Sequence, residues 1–132
     1  HSHYFLPANT HGYFGRAMTV NNYLAVTAAC IMCRREVFEK VSGFEEELSV
    51  AFNDVDLCLK IFEAGYNNVY LHHVVLYHHE SKSRGVEDTP EKQSRFLQEI
   101  SFMQEKWIKY IKHDPCYNQN LTLGIPGYQI KV

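Results

Sequence analysis

The stretch "TPEKQSRFLQEISFMQEKWIKYIK", residues 89–112, constrains the fold more than any other part of this sequence. Its Phe96, Ile100, Met103, Trp107 and Ile111 recur three or four residues apart, which sets them on one face of an α-helix and leaves charged side chains on the other. Thr89 reads as the N-cap and Pro90 as the first helical residue, where a missing N–H costs nothing. A helix with one apolar stripe needs a second layer to cover that stripe. Trp107 reads as an anchor of that packing and not as a platform for a sugar ring.

The second layer is expected upstream, where strand-like and helix-like stretches alternate. "NYLAVTAACIMCRR", residues 22–35, has the near-continuous apolar character of a strand buried on both faces. "REVFEKVSGF" predicts a short helix with Val37, Phe38 and Val41 on its inner stripe and Gly43 closing it. "FNDVDLCLKIFEAGY", residues 52–66, predicts another, with Asn53 as N-cap, Val55, Leu59 and Phe62 at helical spacing and Gly65 as the stop. "NVYLHHVVLYHHE" reads as a strand, and "SKSRGVEDTP" as a polar loop. An irregular lead-in precedes these elements and a turn-rich tail comes after them. No repeat or second domain is visible.

Composition narrows the partners. A net charge of -2 and a pI near 6.5 give no basic excess for a phosphate backbone, so no nucleic acid is expected. No apolar run nears the roughly 20 residues of a spanning helix. The sequence begins at His1 and shows no signal peptide, so a piece of a longer chain is expected. Cys30 and Cys33 form a C-x-x-C, but no second pair or H-x-x-x-H is present to complete a zinc site. Ile31, Met32 and the alanines before Cys30 suggest a buried apolar segment in which these cysteines behave as small hydrophobes, and reduced thiols fit a cytoplasmic setting.

Two features go beyond packing. Asp54 and Asp56 stand one residue apart at the start of a helix, where acidic groups complement the helix dipole, so a purely structural reading is open to both. His72, His73, His78 and His79 crowd one expected strand. On a straight strand His72 and His78 share one face and His73 and His79 the other. His72 and His73 read as half-buried structural residues. His78 lies where the strand meets the polar loop of Glu80, Ser81, Ser83 and Arg84, the end of a strand at which open α/β sheets bind ligands, and an imidazole there can hold a divalent metal.

The ordered set "VTAACIMCRREVFEKVSGFEEEL", "FNDVDLCLKIFEAGY" and "LYHHESKSRG" resembles the second half of the catalytic domain of bacterial family 2 glycosyltransferases over residues 20–112. Ser42, Glu45 and Asn53 depart from that pattern, where the family has glycine, aspartate and glutamate. The resemblance implies an α/β fold class: a partial Rossmann-like nucleotide-diphospho-sugar transferase fold of the glycosyltransferase A type, a small sheet packed with helices. Residues 1–132 would be a single domain, the C-terminal, acceptor-side part of the catalytic domain. The implied reaction is inverting transfer from a nucleotide-diphosphate sugar donor to a saccharide or lipid-linked saccharide acceptor, with a divalent metal, Mn or Mg.

By the same resemblance Asp54 is the base that takes the acceptor proton, while Asp56 caps the turn or orients an acceptor hydroxyl. His78 helps hold the metal bridging the donor diphosphate, with His79 as its rival should the strand register slip by one. Ser83 and Arg84 close over the diphosphate, and "TAAC" lies beside the acceptor. Relatives of this kind build cell-surface polysaccharide, O-antigen or capsule, in the cytoplasm at the inner face of the membrane. The family's nucleotide-binding half, with its D-x-D motif, has no counterpart here, so the piece alone is expected to be inactive and to self-associate as a homo-oligomer through its open strand edge. A noncatalytic binding or assembly module derived from the same fold is the alternative, and a small histidine-rich metal protein a third reading.

Overall fold

The computed structural model describes residues 7, 9–78, 89–123 and 128–131. Within them the chain forms a small α/β arrangement. A strand β1 (Asn21–Tyr23) pairs antiparallel with β2 (Asn68–Tyr70), in the register Asn21 to Tyr70 and Tyr23 to Asn68. Three helices complete it: α1 (Arg35–Lys40), α2 (Asn53–Glu63) and α3 (Pro90–Lys112). The described strands make a two-stranded antiparallel sheet, so the Rossmann-like parallel sheet is not represented among the described residues. None of the described helices is long and apolar enough to cross a membrane.

The helices match the sequence closely. In α3, Thr89 Oγ1 accepts from Lys92 N and Pro90 opens the first turn. The buried line of α3 is Glu99, Met103 and Trp107, rotated from the expected stripe, with Phe96 and Ile111 at its exposed margins. Helix α2 is covered from two sides. Leu59 joins Leu24, Leu48, Met103 and Trp107 in one core, and Leu57 and Ile61 join Val37 and Val41 of the α1 region in another. Truncating a fully buried leucine such as Leu57 costs about 2–5 kcal/mol. Gly65 ends α2 at a φ of 89°, as its position predicts.

Between α1 and α2 the chain takes the left-handed conformation at two adjacent residues. Gly43 has a φ of 61°, and a Cβ there would meet the Phe38 ring at 2.8 Å. Ser42, with a φ of 62°, carries the strain that a glycine would lack.

The two long expected strands are corrected. Residues 22–35 are not a strand buried on both faces: β1 ends at Tyr23, a 3-10 turn covers Ala28–Cys30, and the chain then runs extended into α1. A strand buried on both faces needs layers above and below. Among the described residues the ladder partner of this segment is β2 alone, beside its start, and its far end is left uncovered, so Cys30, Met32 and Cys33 are exposed. The expectation that Cys30 and Cys33 are buried is therefore overturned; Cys58 is buried and Cys116 half-buried. Likewise β2 stops at Tyr70. A turn at His72 and His73, closed by Val74 N donating to Leu71 O at 3.1 Å, ends the pleat, so the alternation expected of a straight strand does not apply to His72, His73 and His78.

One buried amide ties these parts together. Asn68, at the start of β2, donates through Nδ2 to Leu24 O and Cys58 O, each at 2.9 Å. It thereby locks the end of β1 and the middle of α2 to the same strand.

Candidate functional site

The site is built where the first turn of α2 meets the Ala28–Cys30 turn. Thr27 caps that turn, its Oγ1 accepting from Ala29 N at 3.3 Å, and the small side chains of Ala28 and Ala29 leave the backbone approachable. Asp54 reaches across to it. Its Oδ2 accepts from Ala28 N at 3.1 Å and its Oδ1 from Val55 N at 2.9 Å. Each carboxylate oxygen thus has one backbone donor and keeps acceptor capacity, and the side chain is half-buried. The contact brings the "TAAC" turn and the Asp54 carboxylate together.

Asn53 is not the N-cap of α2. That position falls to Phe52, with φ 63° and ψ 1°, and no side chain caps the helix. The start is secured from α3 instead. Phe52 stacks on Phe96, ring centroids 5.6 Å apart, and the buried Glu99 carboxylate accepts from Val50 N at 2.9 Å and Ala51 N at 3.0 Å.

Asp56 points the other way. It is fully buried, and its Oδ1 accepts from Trp107 Nε1 at 2.8 Å and faces Lys106 Nζ at 2.9 Å, while Lys60 Nζ lies 3.1 Å from Oδ2. Burial pushes the Asp56 carboxyl up, but the bonds from Lys106, Trp107 and Lys60 outweigh it and hold the group below its ordinary value. Lys60 also donates to Gly43 O at 2.6 Å, and Lys106 pairs with Glu45 at 2.8 Å. Asp56 is therefore the hub of a buried ion network that joins α2, α3 and the turn after α1. Glu45 serves that network through Lys106.

His78 is exposed at the end of the extended segment beyond the His72–His73 turn. Among the described residues no hydrogen bond or ion pair joins it to either aspartate, and no group of three or more His, Cys, Asp or Glu is placed to hold a metal. One imidazole is a single ligand, so the described residues do not form a metal centre by themselves. His79, Ser83 and Arg84 lie outside the described residues.

Sequence reasoning missed Glu99, Lys60 and Lys106. The first two had a signal. Glu99 falls between Phe96 and Met103 at helical spacing, an acid on a face that must be covered, and Lys60 stands four residues after Asp56.

No family model and no solved structure matches the chain. Over 124 residues, 93% of this chain, it is 52% identical to an uncharacterized protein, y4gI, of Sinorhizobium fredii. Over 118 residues, 83% of the chain, it is 36% identical to the O-antigen biosynthesis protein RfbC of Myxococcus xanthus. A shorter match, 33% over 60 residues or 46% of the chain, is to the N-acetylglucosaminyl-diphospho-decaprenol L-rhamnosyltransferase of Mycobacterium tuberculosis. The chain spans only 14%, 8% and 20% of the lengths of these three relatives. It is thus similar, over most of its own length, to short segments of much longer bacterial proteins, one of them named for O-antigen biosynthesis.

Proposed function

We propose that this chain is the acceptor-side, base-bearing part of a family 2-like glycosyltransferase with a glycosyltransferase A-type fold. The reaction is inverting transfer of a sugar from a nucleotide-diphosphate donor to a saccharide or lipid-linked saccharide acceptor in cell-surface polysaccharide synthesis. The observation that carries this reading is the half-buried Asp54 carboxylate, held at the head of α2 against the small-residue turn at Ala28 with acceptor capacity to spare. The likeness to RfbC and to the rhamnosyltransferase supports the same reading.

In this reaction an acceptor hydroxyl attacks the anomeric carbon from the side opposite the diphosphate. A new C–O bond forms, the bond to the diphosphate breaks with its electron pair, and the hydroxyl proton passes to Asp54 and on to water. The Ala28 N–H fixes one carboxylate oxygen, which aims the other lone pairs at the space beside the turn. His78 would give one ligand to a divalent cation whose remaining ligands lie outside the described residues, and Ser83 and Arg84 would face the diphosphate. Such a cation supplies charge neutralisation for the departing diphosphate. Asp56, enclosed by Lys60, Lys106 and Trp107, orients α2 and does not touch substrate.

The test is a transfer assay on the protein expressed from its complete gene, with a panel of nucleotide-diphosphate sugars and lipid-linked or soluble glycan acceptors. Nucleoside diphosphate released only when donor and acceptor are both present supports the reading. Saturable glycan binding without any release overturns it in favour of a noncatalytic module.

A further inference from the structure

We propose that Glu99 is a positioning residue for Asp54, acting through the backbone of the loop that enters α2. This rests on the reading of Asp54 as the base. Glu99 is 2% exposed in the middle of α3, on a face otherwise apolar. Its two oxygens take the Val50 and Ala51 N–H groups separately, at 2.9 and 3.0 Å, and Arg95 lies one turn earlier with Nε 3.8 Å from Oε1. The next residue, Phe52, stacks its ring on Phe96, which is also on α3. Three consecutive residues before α2 are thereby held by one face of α3.

The grip matters because Phe52 is strained. It stands in the left-handed region, which disfavours a residue with a Cβ, and a conformation of that kind persists only where the surroundings over-determine it. Phe52 O then accepts from Asp56 N at 2.8 Å, a bond of the first turn of α2. The direction of that turn decides where the Asp54 carboxylate meets Ala28. A carboxylate accepting two N–H bonds makes a charge-assisted clamp, and a glutamine in its place has one oxygen for two donors. A displacement on the order of 1 Å at a reacting group is enough to lower a rate about 100-fold.

The experiment uses the complete protein with Glu99→Gln, Asp54→Asn and the double change, together with amide hydrogen exchange at Val50 and Ala51. Expected are faster exchange at both amides in Glu99→Gln, turnover lowered about tenfold or more, a donor KM within about twofold of the parent, and a double variant no slower than Asp54→Asn alone. Phe96→Leu, which leaves the carboxylate in place and loosens only the ring contact, serves should Glu99→Gln fail to fold, and is expected to lower turnover in the same KM-independent way. A folded Glu99→Gln protein, or a folded Phe96→Leu protein, with parental turnover overturns the proposal, as do losses that multiply in the double variant. Parental turnover in Asp54→Asn overturns the base reading itself, and the exchange at Val50 and Ala51 still reports whether the clamp exists.

Discussion

Asp54 Oδ2 accepts a hydrogen bond from Ala28 N at 3.1 Å, joining positions 26 residues apart. The contact makes the head of α2 and the small-residue turn a single unit. Asn at position 54 has one carbonyl oxygen for two backbone donors, Ala28 N and Val55 N, and loses the ability to accept a proton. Asp54→Asn in the complete protein is therefore expected to leave donor binding within about twofold and to lower turnover by about a hundredfold or more. Steady-state transfer kinetics with a donor-binding titration check this, and unimpaired turnover removes Asp54 from the role.

The Asp56 network gives a pH dependence whose sign comes from the direction of its shift. The carboxyl is held below its ordinary value in the folded protein, so the unfolded chain binds its proton more readily than the folded one. Its contribution is fully present above the unfolded value, about pH 4, and is lost as pH falls through the lower folded value. Trp107 reports on it directly, since its Nε1 donates to Asp56. Tryptophan fluorescence is expected to track an acid transition below about pH 4. Asp56→Ala should destabilise by about 1–3 kcal/mol at neutral pH, leaving the buried Trp107 Nε1 without its acceptor, and should flatten the acid dependence. An Asp56→Ala protein with the parental acid profile removes this network as its source.

Much of this was legible in the sequence, and the division has a physical pattern. Helices were read well because their determinants are local: Thr89 and Pro90 at the start of α3, Gly43 and Gly65 at the ends of two helical stretches, Val37 and Val41 on one stripe. The strands were not, because strand length depends on a neighbour. The apolar run from Leu24 to Cys33 has β-like composition, yet among the described residues only Asn21–Tyr23 finds a partner. For the site, Asp54 and the "TAAC" turn were singled out from motif order, and the Ala28 contact places them together. Glu99 and Lys106 escape a reading of periodicity because their partners Val50, Ala51, Asp56 and Glu45 lie 48 to 61 residues away. Asp56 was read as a cap or an acceptor-orienting group, whereas its geometry is that of a buried anchor.

Ser42 offers a stability test of a motif departure. Its φ of 62° costs about 1–2 kcal/mol for a residue with a Cβ, while glycine's greater freedom in the unfolded chain takes back roughly 0.5–1. Ser42→Gly is expected to raise stability by about 0.5–1 kcal/mol in urea unfolding. A loss of stability shows that the serine is held by contacts that outweigh its strain.

His78 and His73 differ in what they should control. Both are exposed, but His73 sits in the turn beside His72, ring centroids 5.3 Å apart, whereas His78 stands at the approach to the residues proposed to face the diphosphate. His78→Ala is expected to raise the manganese concentration for half-maximal donor binding by about tenfold, within the roughly 10–100-fold range seen when metal-site residues are lost. His73→Ala should leave it unchanged. Equal shifts in both variants, read by donor titration across manganese concentrations, remove His78 from the metal.

The last expectation concerns the 132-residue chain by itself. Among the described residues each strand of the sheet has one pairing partner, so the outer edges of β1 and β2 carry no ladder. Beyond the His72–His73 turn the chain is apolar, with Val75 76% and Tyr77 93% exposed, and Met32 at 97% lies just past the Ala28–Cys30 turn. Open strand edges beside exposed apolar side chains template pairing with another chain. The isolated chain is therefore expected to sediment as a dimer or larger species. Val75→Lys and Tyr77→Lys together should shift it toward monomer, since a lysine row on an edge opposes edge-to-edge pairing. A concentration-independent monomer in sedimentation refutes the open-edge argument, and an oligomer that survives both lysines moves the contact to another face.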